Sequence, residues 1–132
     1  MAATILKIQD ETHSGKLISE IHISVKQSTV TMRDIIEARV RFEVDRYNDK
    51  MPEYFQGLVQ PTHAEKMLNG FKMKERKKVD FEKQLYIALD AFQRNGYFVL
   101  VDNKQSDSLE QVLEVTPKTL VSFVKLTPLV GG

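Results

Sequence analysis

The chain contains no cysteine and no tryptophan, and it has only 4 prolines and 6 glycines in 132 residues. Without cysteine there can be no thiol nucleophile, disulfide or thiolate-bound metal. Charge of one sign is also lacking: 19 Lys and Arg stand against 18 Asp and Glu, a formal net charge of +1. Dedicated binders of nucleic acid or anionic membrane rely on a large positive surplus, so this balance argues against both. No apolar run approaches the about 18 residues that would mark a membrane span. Met1 to Asp10 also lacks the basic-then-apolar order of a secretory signal. A soluble, cytoplasmic protein is expected. With 42% hydrophobic residues, a chain of this length buries roughly 65–70% of its unfolded surface, so no metal or cofactor is needed as a staple.

Hydrophobic periodicity supplies the elements. Thr4 to Ile8 alternates as a first strand, Asp10 to Gly15 is rich in turn formers, and Leu17, Ile21, Ile23 and Val25 mark a second strand, giving a hairpin with one buried face. Thr31 stands where a capping hydroxyl would accept the third helical amide, with Asp34 near the positive end of the dipole. Met32, Ile36, Val40 and Val44 then recur every four residues, with Ile35 and Tyr47 beside them, so an amphipathic helix runs to about Tyr47 or Asn48.

The middle of the chain reads as an inserted helical segment over residues 49–95. Thr62-His63-Ala64-Glu65 has the spacing of a capping box and Asn69-Gly70 that of a stop, which predicts a short helix over Thr62 to Leu68. Asp80 caps a clearer helix with Phe81, Leu85, Ala88, Leu89 and Phe92 on one face and Gly96 just beyond it. Between them runs the basic loop Lys72 to Lys78, read as solvated because it contains Glu75 and sits in a nearly neutral chain. After Gly96 come a strand from Tyr97 to Val101, an apolar cluster of Leu109, Val112, Leu113 and Val115, a turn at Thr116-Pro117-Lys118 and a last strand from Leu120 to Leu126.

This order is α+β, with one mixed sheet packed on one main helix. In the simplest un-knotted arrangement the last strand lies parallel to the first at the sheet centre, and residues 127–132 leave it as a tail. The run from Tyr97 through Val101-Asp102-Asn103-Lys104-Gln105, Ser108-Leu109, Leu120 to Leu126 and the final Gly131-Gly132 resembles the C-terminal half of ubiquitin-like β-grasp proteins. The hairpin and the helix opened by Thr31 match the first half. The inserted segment, without counterpart in ubiquitin itself, is similar to the helical insertion of bacterial ubiquitin-like modifiers. One β-grasp domain over 1–132 is therefore expected, the insertion preceding its third strand.

The resemblance implies a protein modifier that does no chemistry of its own. It implies a Gly132 carboxylate adenylated by an E1-like enzyme and conjugated to a target protein. It further implies E2-like and JAB-like metallopeptidase partners and a place in bacterial antiphage defence. Two successive glycines fall at a given position by chance in roughly 0.5% of chains, so the diglycine is the more specific sign. Gly131 and Gly132 lack a Cβ, which suits passage through a narrow channel to a nucleotide. Thr127 to Gly132 can span about 20 Å. Thr127, Pro128, Leu129 and Val130 replace the basic residues of ubiquitin's tail, which implies apolar reading by dedicated enzymes.

A partner patch is expected from Ser122, Val124 and Leu126, on the side of the last strand opposite Val121 and Phe123; cover by the inserted helices is the other reading. His13, His22 and His63 have no paired spacing, and Glu37, Asp45, Glu82 and Asp90 lie on polar helix faces, so neither metal, cofactor nor catalytic residue is assigned. Two alternatives stay open. One is a sulfur carrier ending in a thiocarboxylate, against which the insertion counts. The other is a non-conjugated interaction module.

Overall fold

The computed structural model describes residues 3–67 and 70–126. Its order is β1 (Thr4–Thr12), β2 (Leu17–Val25), β3 (Thr29–Thr31), α1 (Met32–Lys50), β4 (Tyr54–Phe55), β5 (Ala64–Met67), β6 (Gly70–Met73), α2 (Phe81–Gln93), β7 (Tyr97–Val101), β8 (Lys104–Ser106), β9 (Val112–Glu114) and β10 (Leu120–Lys125). Five of these strands form one mixed sheet in the order β2-β1-β10-β7-β8. Its central pair, β1 and β10, is parallel, with Ile8 opposite Val121 and Asp10 opposite Phe123; its other neighbours are antiparallel.

Alternation decides which side of the sheet is buried. Leu6, Ile8, Ile23, Val25, Val99, Val121 and Phe123 all point into the core, where the apolar side chains of α1 meet them. Each such side chain contributes about 1.5–3 kcal/mol when fully buried. Helix α1 starts where the cap was expected. Thr31 Oγ1 accepts the Asp34 amide at 3.1 Å, and Asp34 Oδ2 accepts the Thr31 amide at 2.9 Å, completing a capping box. The next free amides, of Met32 and Arg33, donate to the carbonyls of Gln111 and Leu109, so the loop before β9 closes the helix start. In the same corner β9 pairs with β3, a short strand that carries no periodic signal of its own.

Three local expectations are corrected. Asp10 is not a turn residue: β1 continues to Thr12, because Asp10 lies between Ser19 on β2 and Phe123 on β10. The short helix expected over Thr62 to Leu68 does not form in its described part, and Ala64–Met67 is instead strand β5, paired with β6, which also pairs with β4. With α1 running on to Lys50, the rest of the segment expected as a helical insertion over 49–95 holds a three-stranded antiparallel sheet followed by α2. His63, at φ 60, starts no helix, and Gly70, at φ 127, takes a conformation that glycine alone adopts freely. Finally, α2 is capped by Asp80 through the Lys83 amide, but the left-handed residue at its far end is Asn95 (φ 61), one position before Gly96.

Candidate functional site

The sequence places its functional residues at the end of β10, where the structure is most informative up to Leu126. Gly131 and Gly132, and with them Thr127, Pro128, Leu129 and Val130, lie outside the described residues. Strand β10 runs in the middle of the sheet with a partner on each side. That position explains its burial pattern. Val121 and Phe123 are fully buried on the helix side. Ser122, on the opposite face between Gln9 and Leu100, is also buried, because a short side chain on a central strand is shadowed by its neighbours. Val124 is half-buried between Glu11 and Phe98, and Leu126 is 44% exposed.

Of the expected patch, Ser122 therefore contributes almost no surface. The accessible apolar part of the outer face comes instead from Val124 and the half-buried Leu120 on β10, the half-buried Phe98 and Leu100 on β7 and the exposed Ile5 on β1, while Lys7 and His22 on the same face are exposed. The inserted segment is fastened on the other side. Its hydrogen bonds to α1 run from the Leu58 amide to Glu43, from Arg46 to the Gln56 carbonyl, and between Asn48 and Val79.

A second feature was not legible as a site. Beneath the end of β10 the buried guanidinium of Arg39 binds Asp10 through both terminal nitrogens, one of them at 2.7 Å from Oδ2, and donates from Nε to Glu43 Oε2 at 3.0 Å. Ser19 donates to the same Asp10 carboxylate at 3.1 Å. Lys125, the last residue of β10, brings Nζ to 3.5 Å from Asp10 Oδ2 and 3.3 Å from the Gly57 carbonyl. The Arg39 guanidinium also stacks over Phe123, 4.5 Å from its ring centre. Four charges from β1, α1 and β10 thus converge where β10 ends.

The network divides its two carboxylates. Burial opposes the charged form of Asp10, but the hydrogen bonds and charge of Arg39, aided by Lys125 and Ser19, outweigh it and hold the carboxyl below its usual range. At Glu43 burial wins over the attraction of Arg39 and the Leu58 amide, and the pKa is raised. Arg39 stays charged, because the paired carboxylates overcome its own desolvation. Nearby, Tyr97 donates its hydroxyl to the Ala88 carbonyl at 2.7 Å, and its burial pushes its pKa up. The signal that could have revealed this network is the i, i+4 pair Arg39–Glu43 on the same helical row as Ile35 and Tyr47.

His13, in the turn after β1, His22, on β2, and His63, just before β5, fall in separate parts of the chain, and the described residues contain no group of three His, Asp or Glu able to hold a metal. Among them, no helix is long and apolar enough to cross a membrane. Comparison with known proteins gives no match: no family model fits the chain, and no curated protein or solved structure matches it.

Proposed function

We propose that the chain is a ubiquitin-like β-grasp modifier whose Gly132 carboxylate is activated by an E1-like enzyme and conjugated to a target in a bacterial antiphage pathway. The observation that carries this reading is the sheet order β2-β1-β10-β7-β8 around a parallel central pair, covered by α1. In that arrangement the central strand β10 ends at Lys125, and residues 127–132 with the diglycine follow it in the sequence. On this reading the enzymes supply the chemistry, and this chain supplies a folded base and a slender end. In the first step a Gly132 carboxylate oxygen attacks the α-phosphorus of ATP and pyrophosphate leaves; in the last, a target amine displaces AMP or a carrier thiol and loses its proton. Thr127, Pro128, Leu129 and Val130 would meet apolar pockets of the E1-like, E2-like and JAB-like enzymes. Val124 and Leu126, with Phe98 and Leu100, would form the partner patch.

Intact-mass analysis after incubation with the cognate E1-like enzyme, its pathway partners, a target and ATP tests the reading. A covalent adduct supports it; exchange of oxygen for sulfur would establish the sulfur carrier instead, and an unchanged mass the interaction module. Because Lys125 is the last tryptic site, a modified lysine should carry Leu-Thr-Pro-Leu-Val-Gly-Gly. Deleting Gly132 should abolish the adduct while leaving the melting temperature unchanged.

A further inference from the structure

A groove of about 750 Å³ opens between β2, α1 and the three-stranded sheet of the insertion. We propose that it receives an extended, acidic peptide segment of a partner protein, which adds as a strand to the free edge of β2. The proposal does not rest on the modifier reading, since it does not use the tail, although Leu126 of the partner patch also lines the groove.

Strand β2 is the outermost strand of the five-stranded sheet. Four consecutive residues, Ile18 to Ile21, line the groove. Ile18 is the extra residue of a β-bulge, Leu17 and Ser19 pairing with the consecutive Glu11 and Asp10; over the regular stretch Ser19 to Ile21 successive side chains point to opposite faces, so a cavity that meets all of them lies against the edge of the strand. Such an edge offers unpaired amides and carbonyls as a template for another chain, and Ile18 is 52% exposed beside them. The facing wall supplies Met67 and Phe71 as apolar contacts.

Charge selects the occupant. On the strand wall Glu20 is already met by Lys7 and His22, each at 3.4 Å. On the floor Asp10 and Glu43 are committed to Arg39. The exposed cations Arg46, on α1, and Lys66, on the facing wall, have no carboxylate within ion-pair distance among the described residues; Arg46 meets a backbone carbonyl and the ring of Phe42. The uncompensated charge is positive, so the guest strand should be acidic. A second copy of this chain fits less well, because it would have to bring the rest of its sheet into a space bounded on the far side by the insertion.

The test begins with a display library of random dodecapeptides selected on the full chain. Enriched peptides are measured by fluorescence polarisation and mapped by amide chemical shifts. The expected peptides alternate apolar residues with at least two acids, shift the amides of Ile18 to Ile21, and bind more weakly as salt is raised. Arg46→Glu with Lys66→Glu should lower affinity about tenfold, two exposed ion pairs being worth that much together. If that variant melts early, Arg46→Gln with Lys66→Gln should weaken binding in the same direction. Failure to enrich any peptide, shifts confined to other elements, or affinity indifferent to salt and to both variants would overturn the proposal. So would concentration-dependent dimerisation that shifts the β2 amides without peptide, which would assign the groove to a second copy.

Discussion

Two neighbouring rows of α1 are equally buried and chemically opposite. Met32, Ile36, Val40 and Val44 form an aliphatic row, whereas Ile35, Arg39, Glu43 and Tyr47 place two charges and a phenol at the same depth. The first row stabilises without specifying direction, since apolar contact depends on area and shape alone. The second is directional: Arg39 fixes α1 against Asp10 of β1, and Glu43 fixes the Leu58 amide of the insertion. Buried ion pairs are poor sources of net stability but costly to break from one side. The comparison teaches that similar burial can serve cohesion in one row and placement in the next.

Arg39→Ala should strike hardest. It leaves Glu43 buried without its ion-pair partner and Asp10 with Lys125 alone, and a loss of about 3–5 kcal/mol is expected in urea unfolding. On the aliphatic row, Ile36→Ala removes packing and leaves a cavity, for about 2–5 kcal/mol. If the two rows differ as argued, Arg39→Ala should also displace the amide resonance of Leu58, and Ile36→Ala should leave it in place.

Acidity separates the two carboxylates of the charged row. Asp10 binds its proton less tightly folded than unfolded, so its stabilisation is present above the ordinary aspartate range and is lost as pH falls through the folded value. Glu43 has the opposite sign: its folded form holds the proton more tightly, and its contribution improves as pH falls through the raised value toward the ordinary glutamate range. Chemical unfolding at a series of pH values should therefore show wild type gaining stability relative to Glu43→Gln on mild acidification. At lower pH it should lose stability relative to Asp10→Asn.

Smaller effects complete the comparison. Thr31→Ala removes the cap shared by both rows and should cost about 1 kcal/mol, read as a lower melting temperature. Tyr47→Phe should cost almost nothing, because the buried Tyr47 hydroxyl has no hydrogen-bond partner among the described residues, and a slight gain would agree with the cost of an unpaired polar atom.

The aliphatic row, its cap, the first hairpin, α2 and the apolar strands β7 and β10 were legible in the sequence because period and capping chemistry agree there with the tertiary structure. The charged row was not. Arg39 and Glu43 look like solvated helix residues until Asp10 is brought to them, and Asp10 sits in a stretch whose composition speaks for a turn. Thr62 to Glu65 carries a helical signature that loses to pairing with β6, a non-local contact with no local mark. At the site, the position of β10 was read correctly, but the shadowing of Ser122 depends on both neighbouring strands and is invisible along one.

The parallel pairing of β1 with β10 has a further consequence, in time rather than space. The ninth and tenth residues of the chain obtain their neighbours on one side only when Ser122 and Phe123 have been synthesised. A ribosome-bound chain can form the first hairpin and α1 early, but its sheet stays split down the middle until β10 emerges and inserts. Insertion of that strand also delivers Lys125 to Asp10 and to the loop at Gly57. The body thus closes with its last strand, and whatever follows Leu126 is presented on a finished fold only by chains whose translation has passed that point.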